Sequence, residues 1–312
     1  MNPQLRKRLE KQQYGIVGEH SAVKLCHWMK QSLLHQRHCY KQDFYGIKSH
    51  RCLQMTPTIN HCNHSCLFCW RYQGFTEHQI DSPDEPSYIL DQSILEQQRL
   101  ITGFKGDNRC DLKKWEESNH PNMVACSLSG EPTLYPRLDE FFEECHKRNM
   151  TTFLVTNGTN PEILESLDPL PKQLYVSLIA PTKEIYKRLC IPSIENGWEK
   201  IQKTLELIPS LDTRTVIRHT LVNKWNIDSK YIKSYASSIK KSNPLFIEPK
   251  GYVFVGSSRQ RMNLSNMPSH EDVKTFGLQL AEETGYDLIN EKEDSRVILL
   301  SKTKSPKKFN TS

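Results

Sequence analysis

Arg51-Cys52-Leu53-Gln54-Met55-Thr56-Pro57-Thr58 is followed, three residues on, by Cys62-Asn63-His64-Ser65-Cys66-Leu67-Phe68-Cys69. The first stretch reads as a strand, so the cysteines fall on the loop leaving its carboxyl end, where parallel β/α sheets carry catalytic residues. Three thiols spaced C-x3-C-x2-C on one short loop can each hold a different corner of a cubane iron–sulfur cluster. No fourth cysteine stands at that spacing, which leaves one iron without a protein ligand and free to bind a small molecule. Structural zinc is the competing reading, with His61 or His64 as a fourth ligand. Phe68, directly before the last cysteine, favours the cluster.

With 312 residues, 37% of them hydrophobic, the chain can bury one large core, and nothing marks a second independent domain. The formal net charge of +6, with 25% charged residues, suits a polyanionic partner as well as it suits an ordinary soluble protein. No apolar run reaches membrane-spanning length, and Met1-Asn2-Pro3-Gln4-Leu5-Arg6-Lys7-Arg8 lacks an apolar signal core, so a cytoplasmic protein is expected. Ten cysteines in such a chain point to metal or redox chemistry rather than a disulfide framework.

Upstream of the cluster loop, residues 2–13 read as a basic helix, and Ser21 as the cap of a second helix carrying Ala22, Leu25, Cys26, Met29 and Leu33 on one face. Cys39 and Cys52 follow Cys26 at equal intervals of thirteen residues, with Tyr40, Phe44 and Tyr45 nearby to shield a metal. Two readings stay open for these three thiols: small core residues, or the ligands of a second three-thiolate cluster.

Downstream, strands and helices alternate. Strands are expected at 123–128, 152–156, 173–179, 215–222 and 245–255, and helices at 88–104, 137–147, 161–167, 183–189, 198–207, 228–241 and 270–284. Residues 107–122 read as an irregular polar connection. Counting the strand before the cysteines, about six β/α units argue for a parallel sheet rolled into an incomplete barrel, short of the eight of a closed one. The expected layout is an N-terminal helical extension over 1–50, a barrel core over 51–285, and C-terminal additions over 286–312. Those additions are a hairpin at 287–289 and 296–300 followed by a basic, mobile tail.

Polar residues recur at the strand ends: Ser129-Gly130-Glu131-Pro132, Thr156-Asn157-Gly158, Ser177, then Arg218-His219-Thr220 with Asn223. Each is compatible with turn or cap chemistry alone, or with hydrogen bonds to a cofactor converging in the barrel.

The cysteine loop resembles that of the radical S-adenosylmethionine superfamily, whose members bind the cofactor's amino and carboxylate groups at the open iron and cleave it to a 5′-deoxyadenosyl radical. Gly130, Glu131 and Pro132 resemble the segment that holds the methionine amine. On that resemblance Asn157, Ser177, Arg218, Thr220 and Asn223 are expected at the cofactor, and the fold is an incomplete (β/α)6 barrel of the radical-SAM type.

Over nearly its whole length the chain resembles the single-domain tRNA 4-demethylwyosine synthases of wybutosine biosynthesis. The resemblance rests on Cys26, Cys39 and Cys52, on the cluster loop continued by Trp70-Arg71, and on Ser129-Gly130-Glu131-Pro132-Thr133. It extends to Glu248-Pro249-Lys250-Gly251-Tyr252, Val255-Gly256-Ser257-Ser258-Arg259 and Asn266-Met267-Pro268 with His270. It implies two [4Fe-4S] clusters, one on Cys62, Cys66 and Cys69 and a second on Cys26, Cys39 and Cys52. It also implies N1-methylguanosine beside the anticodon of tRNA-Phe as substrate, pyruvate as two-carbon donor, and Lys41 as the lysine that captures pyruvate as a Schiff base. The implied sequence is reductive cofactor cleavage, hydrogen abstraction from the N1-methyl, attack of that carbon on C2 of pyruvate held by the second cluster or by Lys41, and ring closure with loss of the carboxyl carbon.

A base taken from its stack needs phosphate contacts, for which Arg6, Lys7, Arg8, Lys11, Lys48, Lys240, Lys241, Arg259, Arg261, Lys307 and Lys308 are candidates. Longer family members carry a flavodoxin-like domain. Its absence here implies an external electron donor of flavodoxin or ferredoxin type, and a monomer is expected. Two rivals are a glycyl-radical activase, whose extra cysteines come in compact C-x2-C runs, and a zinc-stabilised RNA-binding protein without catalysis.

Overall fold

The computed structural model describes residues 1–309. The chain begins with helix α1 (Pro3–Lys11), capped by the Asn2 side chain, and the short strands β1 (Gly15–Val17) and β2 (Ser21–Val23). Helices α2 (His27–Leu34) and α3 (Tyr40–Tyr45) lead into β3 (Cys52–Thr56). Then come α4 (Pro86–Ile101), α5 (Leu112–Ser118), β4 (Met123–Cys126), α6 (Leu138–Lys147), β5 (Thr151–Thr156), α7 (Pro161–Ser166) and β6 (Gln173–Ser177). The rest is α8 (Lys183–Cys190), α9 (Gly197–Leu207), β7 (Arg214–Leu221), α10 (Ile232–Ser242), β8 (Phe246–Gly251), α11 (His270–Thr284), β9 (Asp287–Lys292) and β10 (Val297–Ser301).

One sheet runs through the molecule in the order β1-β2-β3-β4-β5-β6-β7-β8-β10-β9. The six strands β3 to β8 are parallel, and each edge is extended by an antiparallel hairpin. The sheet curls rather than lying flat. Met123 and Ala125 of β4 share one buried cluster with Val297 and Leu299 of β10, although these strands lie far apart in sheet order. Within each strand the alternate residues Val124, Leu154, Leu174, Val176, Ile217 and Ile247 point outward and pack beneath the helices. Both faces are therefore buried, as a parallel sheet requires. Helix α6 supplies Leu138, Phe141, Phe142 and Cys145 at helical spacing to that outer layer, and each buried phenylalanine contributes roughly 2–3 kcal/mol.

The incomplete six-unit barrel expected from the sequence is present. Its N-terminal part differs from expectation. Residues 21–23 pair with β3 instead of starting a helix, because β3 has a free edge there and Ala22 and Val23 are completely buried against it. Helix α2 begins only at His27, so Cys26 is its N-cap and does not lie on an apolar helix face. The supposedly irregular stretch 107–122 contains α5, capped by Asp111, whose carboxylate accepts from Lys114 N at 3.1 Å.

Helix α3 plugs the barrel: Tyr40, Phe44 and Tyr45 pack inside it against Phe153, Tyr175 and Phe246. The basic tail, expected to be mobile, is tied down as far as Phe309. That residue's backbone donates to Tyr45 O at 2.8 Å, and its ring meets Phe153 at 5.5 Å. Residues 310–312 lie outside the described part. Among the described residues no helix is long and apolar enough to cross a membrane.

Candidate functional site

The carboxyl ends of the parallel strands open into a cavity of about 230 Å³. Cys62, Cys66 and Cys69 line it together with Gly130, Glu131, Asn157, Ser177 and Thr220, so the first cysteine group and five of the eight cofactor-binding candidates meet here. The cysteine loop is pinned along its length. Cys62 N donates to Glu77 O at 3.0 Å, Ser65 N to Cys190 O at 3.1 Å and Leu67 N to Leu189 O at 3.0 Å. Arg261, a candidate phosphate contact from sequence, instead donates to Leu67 O at 3.2 Å and to Cys69 O, and so belongs to this loop.

Burial pushes the Cys62 thiol up to about 12, and burial also raises Cys69. Cys66 is raised first by a hydrogen bond with Cys190, a buried cysteine with no role assigned from sequence. Against these stands Arg71. It is only 4% exposed and donates to the Thr76 hydroxyl at 2.8 Å and His64 O at 2.9 Å; among the described residues no carboxylate pairs with it. A buried guanidinium with neutral partners calls for a nearby anion. A thiolate-ligated iron–sulfur cluster on these cysteines would supply one.

The zinc reading fails for want of a converging donor set. His64 Nε2 hydrogen-bonds the Tyr186 hydroxyl at 2.7 Å, and His61 Nε2 faces Glu77 at 3.1 Å, although the buried His61 Nδ1 has no hydrogen-bond partner. Among the described residues no three His, Cys, Asp or Glu side chains converge as a single ion would require. A cubane, by contrast, spans thiols held at separate corners.

The strand ends around the cavity are braced by Glu131. Its buried carboxylate accepts from Thr133 N (3.2 Å), the Thr133 hydroxyl (2.7 Å), the Thr156 hydroxyl (2.7 Å) and Asn157 N (2.7 Å). Burial raises its pKa, while these donors oppose the rise. Asn157 in turn donates to Asn63 Oδ1 at 2.6 Å, which links β5 to the cysteine loop. Gly130 is required by geometry: at φ +73° its Cβ position lies 1.7 Å from Thr58 O, so any side chain would collide with backbone. Pro132 does not reach the cavity; it is buried as the first residue of a 3-10 turn behind Glu131.

Arg218 and Asn223 are also placed differently from expectation. Asn223 donates its backbone N–H to Asn266 O at 2.9 Å and serves the 263–267 loop. Arg218 points to the same side of β7 as Thr220 but one layer deeper, away from the cofactor cavity. It donates to Glu248 at 2.9 Å and to the Tyr40 hydroxyl at 2.9 Å, and lies 4.2 Å from the Tyr175 ring.

That deeper layer is where the second group of candidates meets. Cys26 caps α2, Cys39 caps α3 and Cys52 opens β3, and the three lie within electrostatic reach of one another. Burial pushes Cys39 up to about 11 and Cys52 up to about 12. Lys41, in the first turn of α3, sets its ammonium 4.4 Å from the Tyr175 ring and 5.0 Å from that of Phe153. Burial, then Arg218, lowers its pKa.

Sequence reasoning gave no role to Arg71, Glu248, Lys250 or Tyr175. The signal was available for the last three: on β6 and β8 they occupy the inward-facing parity, where a polar side chain is out of place unless it acts on something inside.

Residues 56–233 match the family model for the radical SAM superfamily, and residues 241–302 the one for wyosine base formation. The chain is 50% identical to the S-adenosyl-L-methionine-dependent tRNA 4-demethylwyosine synthase of Pyrococcus horikoshii, covering 96% of this chain and 90% of that protein. With the synthase of Methanocaldococcus jannaschii the identity is 40%, with 95% of each covered. The human synthase TYW1 is 37% identical over 97% of this chain, which spans 42% of that longer protein. A solved structure of TYW1 with a lysine–pyruvate adduct bound superposes with a TM-score of 0.88 at 38% identity, covering 97% of this chain and 96% of that one. Archaeal TYW1 gives 0.80 at 35%, with the same coverage. Membership implies S-adenosylmethionine and a [4Fe-4S] cluster, which the Cys62, Cys66 and Cys69 loop fits. The chain belongs to the radical S-adenosylmethionine family of tRNA 4-demethylwyosine synthases.

Proposed function

We propose that the chain converts N1-methylguanosine beside the anticodon of tRNA-Phe to 4-demethylwyosine by condensation with pyruvate. The reading adds a second [4Fe-4S] cluster on Cys26, Cys39 and Cys52, with Lys41 as the amine that captures pyruvate. It also adds an external flavodoxin- or ferredoxin-type electron donor and a monomeric, cytoplasmic enzyme.

One observation carries it: the two groups of residues occupy successive layers of a single barrel interior, Thr220 above and Arg218 with Lys41 directly below. A radical formed at the upper layer would arise next to a carbonyl held at the lower one. The related TYW1 structure with a lysine–pyruvate adduct supports giving the buried amine that task.

With S-adenosylmethionine bound, the upper cluster supplies a 5′-deoxyadenosyl radical. Gly130, Asn157, Ser177 and Thr220 bind and orient the cofactor, and Glu131 holds the strand ends that carry them. Phe68, Trp70, Leu178 and Trp198 exclude water from the cavity, which protects a radical from quenching. Lys41 presents a free amine because desolvation disfavours its ammonium form.

The test is anaerobic incubation of reconstituted protein with N1-methylguanosine-containing tRNA, S-adenosylmethionine, pyruvate and dithionite, followed by mass analysis of the digested nucleosides. A tricyclic nucleoside that requires pyruvate is expected. 5′-Deoxyadenosine with unchanged guanosine would overturn the substrate assignment and leave the radical chemistry standing.

A further inference from the structure

Beside the cofactor cavity lies a second cleft, of about 380 Å³, bounded by α8, the turn after β7 and the 261–266 loop. Trp225 and Tyr231 give it aromatic surface and Arg188, Lys224 and Arg261 give it charge; among the described residues no carboxylate lines it. Its walls are the far sides of elements that also line the cavity. On α8, Tyr186 and Cys190 face the cavity, while Ile185 and Arg188 face the cleft. Phe68 and Cys69 line the cavity, and Arg261, in the cleft, donates to Leu67 O at 3.2 Å and to Cys69 O.

The cleft is braced. Asn223 N donates to Asn266 O at 2.9 Å and Asn266 Nδ2 to Asn223 O at 3.0 Å, which ties its two loops together. Trp225 packs on the buried cluster of Val222, Tyr252 and Met262. Arg261 is committed to the cysteine loop, but among the described residues neither Arg188 nor Lys224, both exposed, forms a hydrogen bond or an ion pair. The Arg188 guanidinium lies 5.5 Å from the centre of the Trp225 ring. Lys224 takes φ +69°, a left-handed conformation that glycine adopts without strain and lysine does not. Free cations beside aromatic faces, with no acid among them, fit a single-stranded nucleic acid, whose bases stack on the rings and whose phosphates meet the cations.

We propose that this cleft holds a nucleotide flanking the target base, with Trp225 stacking its base and Arg188 and Lys224 holding phosphates on either side of it; this rests on the reading of tRNA as substrate given above. A target base turned into the cofactor cavity leaves its neighbours in the strand outside. The cleft, with only the cysteine loop and α8 between it and the cavity, receives one of them. Phosphate contacts there fix the register of the strand, and the stacked base keeps its neighbour from folding back over the target.

The experiment measures binding of N1-methylguanosine-containing tRNA to the anaerobically reconstituted protein by fluorescence anisotropy, over a range of about 50 to 200 mM salt. Arg188→Gln and Lys224→Gly should each weaken binding and each reduce the slope of log affinity against log salt by about 0.7, the value for one lost contact to a single strand. Lys224→Gly also relieves the backbone, so thermal stability should hold while affinity falls, a combination that a merely structural lysine would not give. Trp225→Leu keeps an apolar side chain against Val222 and Met262 and should lose about 10- to 100-fold in affinity with the slope unchanged, whereas Trp225→Phe should keep most of the affinity. Lys172→Gln, just before β6 and so at the opposite ends of the strands from the cavity, is the reference for lost charge alone and should bind as the wild type does. Variants at Arg188, Lys224 and Trp225 that match Lys172→Gln in affinity and slope would overturn the cleft. A wild-type protein that binds no tRNA would overturn the tRNA reading itself, and the cleft with it.

Discussion

Lys41→Ala is expected to abolish the tricyclic product while 5′-deoxyadenosine continues to form. The loss should be on the order of 10³-fold or more, since a covalent step is removed and Lys250, the other amine on the inner face, is tied to Ser295 O at 2.7 Å. Stability should change little. Glu248 keeps Arg218, Tyr40 and Tyr45 as partners, and Lys41 contributes contacts to aromatic rings rather than an ion pair. Lys41→Arg keeps a long basic side chain beside Tyr175 without a nucleophilic amine and should remain inactive. The pH dependence has a definite sign. Because burial lowers the Lys41 pKa, the free amine persists to lower pH than an exposed lysine would allow, and capture should fall as pH drops through that lowered value. Product formation equal to wild type in both variants would remove Lys41 from the mechanism.

The second large effect concerns Cys39. Cys39→Ala should halve the iron of the reconstituted protein, from about eight atoms to about four, with sulfide falling in step. Nucleoside product should vanish, yet reductive cleavage of S-adenosylmethionine should survive, because Cys62, Cys66 and Cys69 belong to a separate loop at the other layer. The substitution is structurally mild. Cys39 caps α3 without a side-chain hydrogen bond; its backbone N–H donates to the Ser49 hydroxyl at 2.9 Å, and alanine preserves that contact. Iron unchanged at about four in wild type and variant would mean that Cys26, Cys39 and Cys52 hold no cluster.

The parts of this molecule that sequence reveals are those governed by short-range pattern. Alternating strands and helices from residue 123 onward follow hydrophobic periodicity, and α11 matches its expected bounds because Ser269 and Asp272 form a capping box and Gly285 ends it in the left-handed region. The cysteine loop and the Gly130 turn are legible for the same reason, being contiguous.

What sequence hides is governed by pairing over distance. Residues 21–23 read as helix because their spacing permits it, and only the open edge of β3 makes them a strand. Arg218 sits beside Thr220 in sequence, and strand parity puts both on the inner face. The layer each occupies depends on the plug formed by α3, whose Tyr40 hydroxyl takes the Arg218 guanidinium. Cys26, Cys39 and Cys52 are brought together by two helix starts and a strand start, a convergence that equal spacing hints at without specifying. Arg71 was visible as a residue, but its meaning comes from burial without a carboxylate, which only packing reveals.

The central claim is that two carbons of pyruvate enter the guanine of tRNA at a site where Lys41 holds the acid. The most direct measurement supplies the anaerobic reaction with pyruvate labelled either at its carboxyl carbon or at the other two carbons, and weighs the modified nucleoside after digestion. Retention of both labels from the carbonyl and methyl carbons, with none from the carboxyl carbon, is the predicted result. A tricyclic nucleoside carrying no label, or one that keeps the carboxyl carbon, would contradict it.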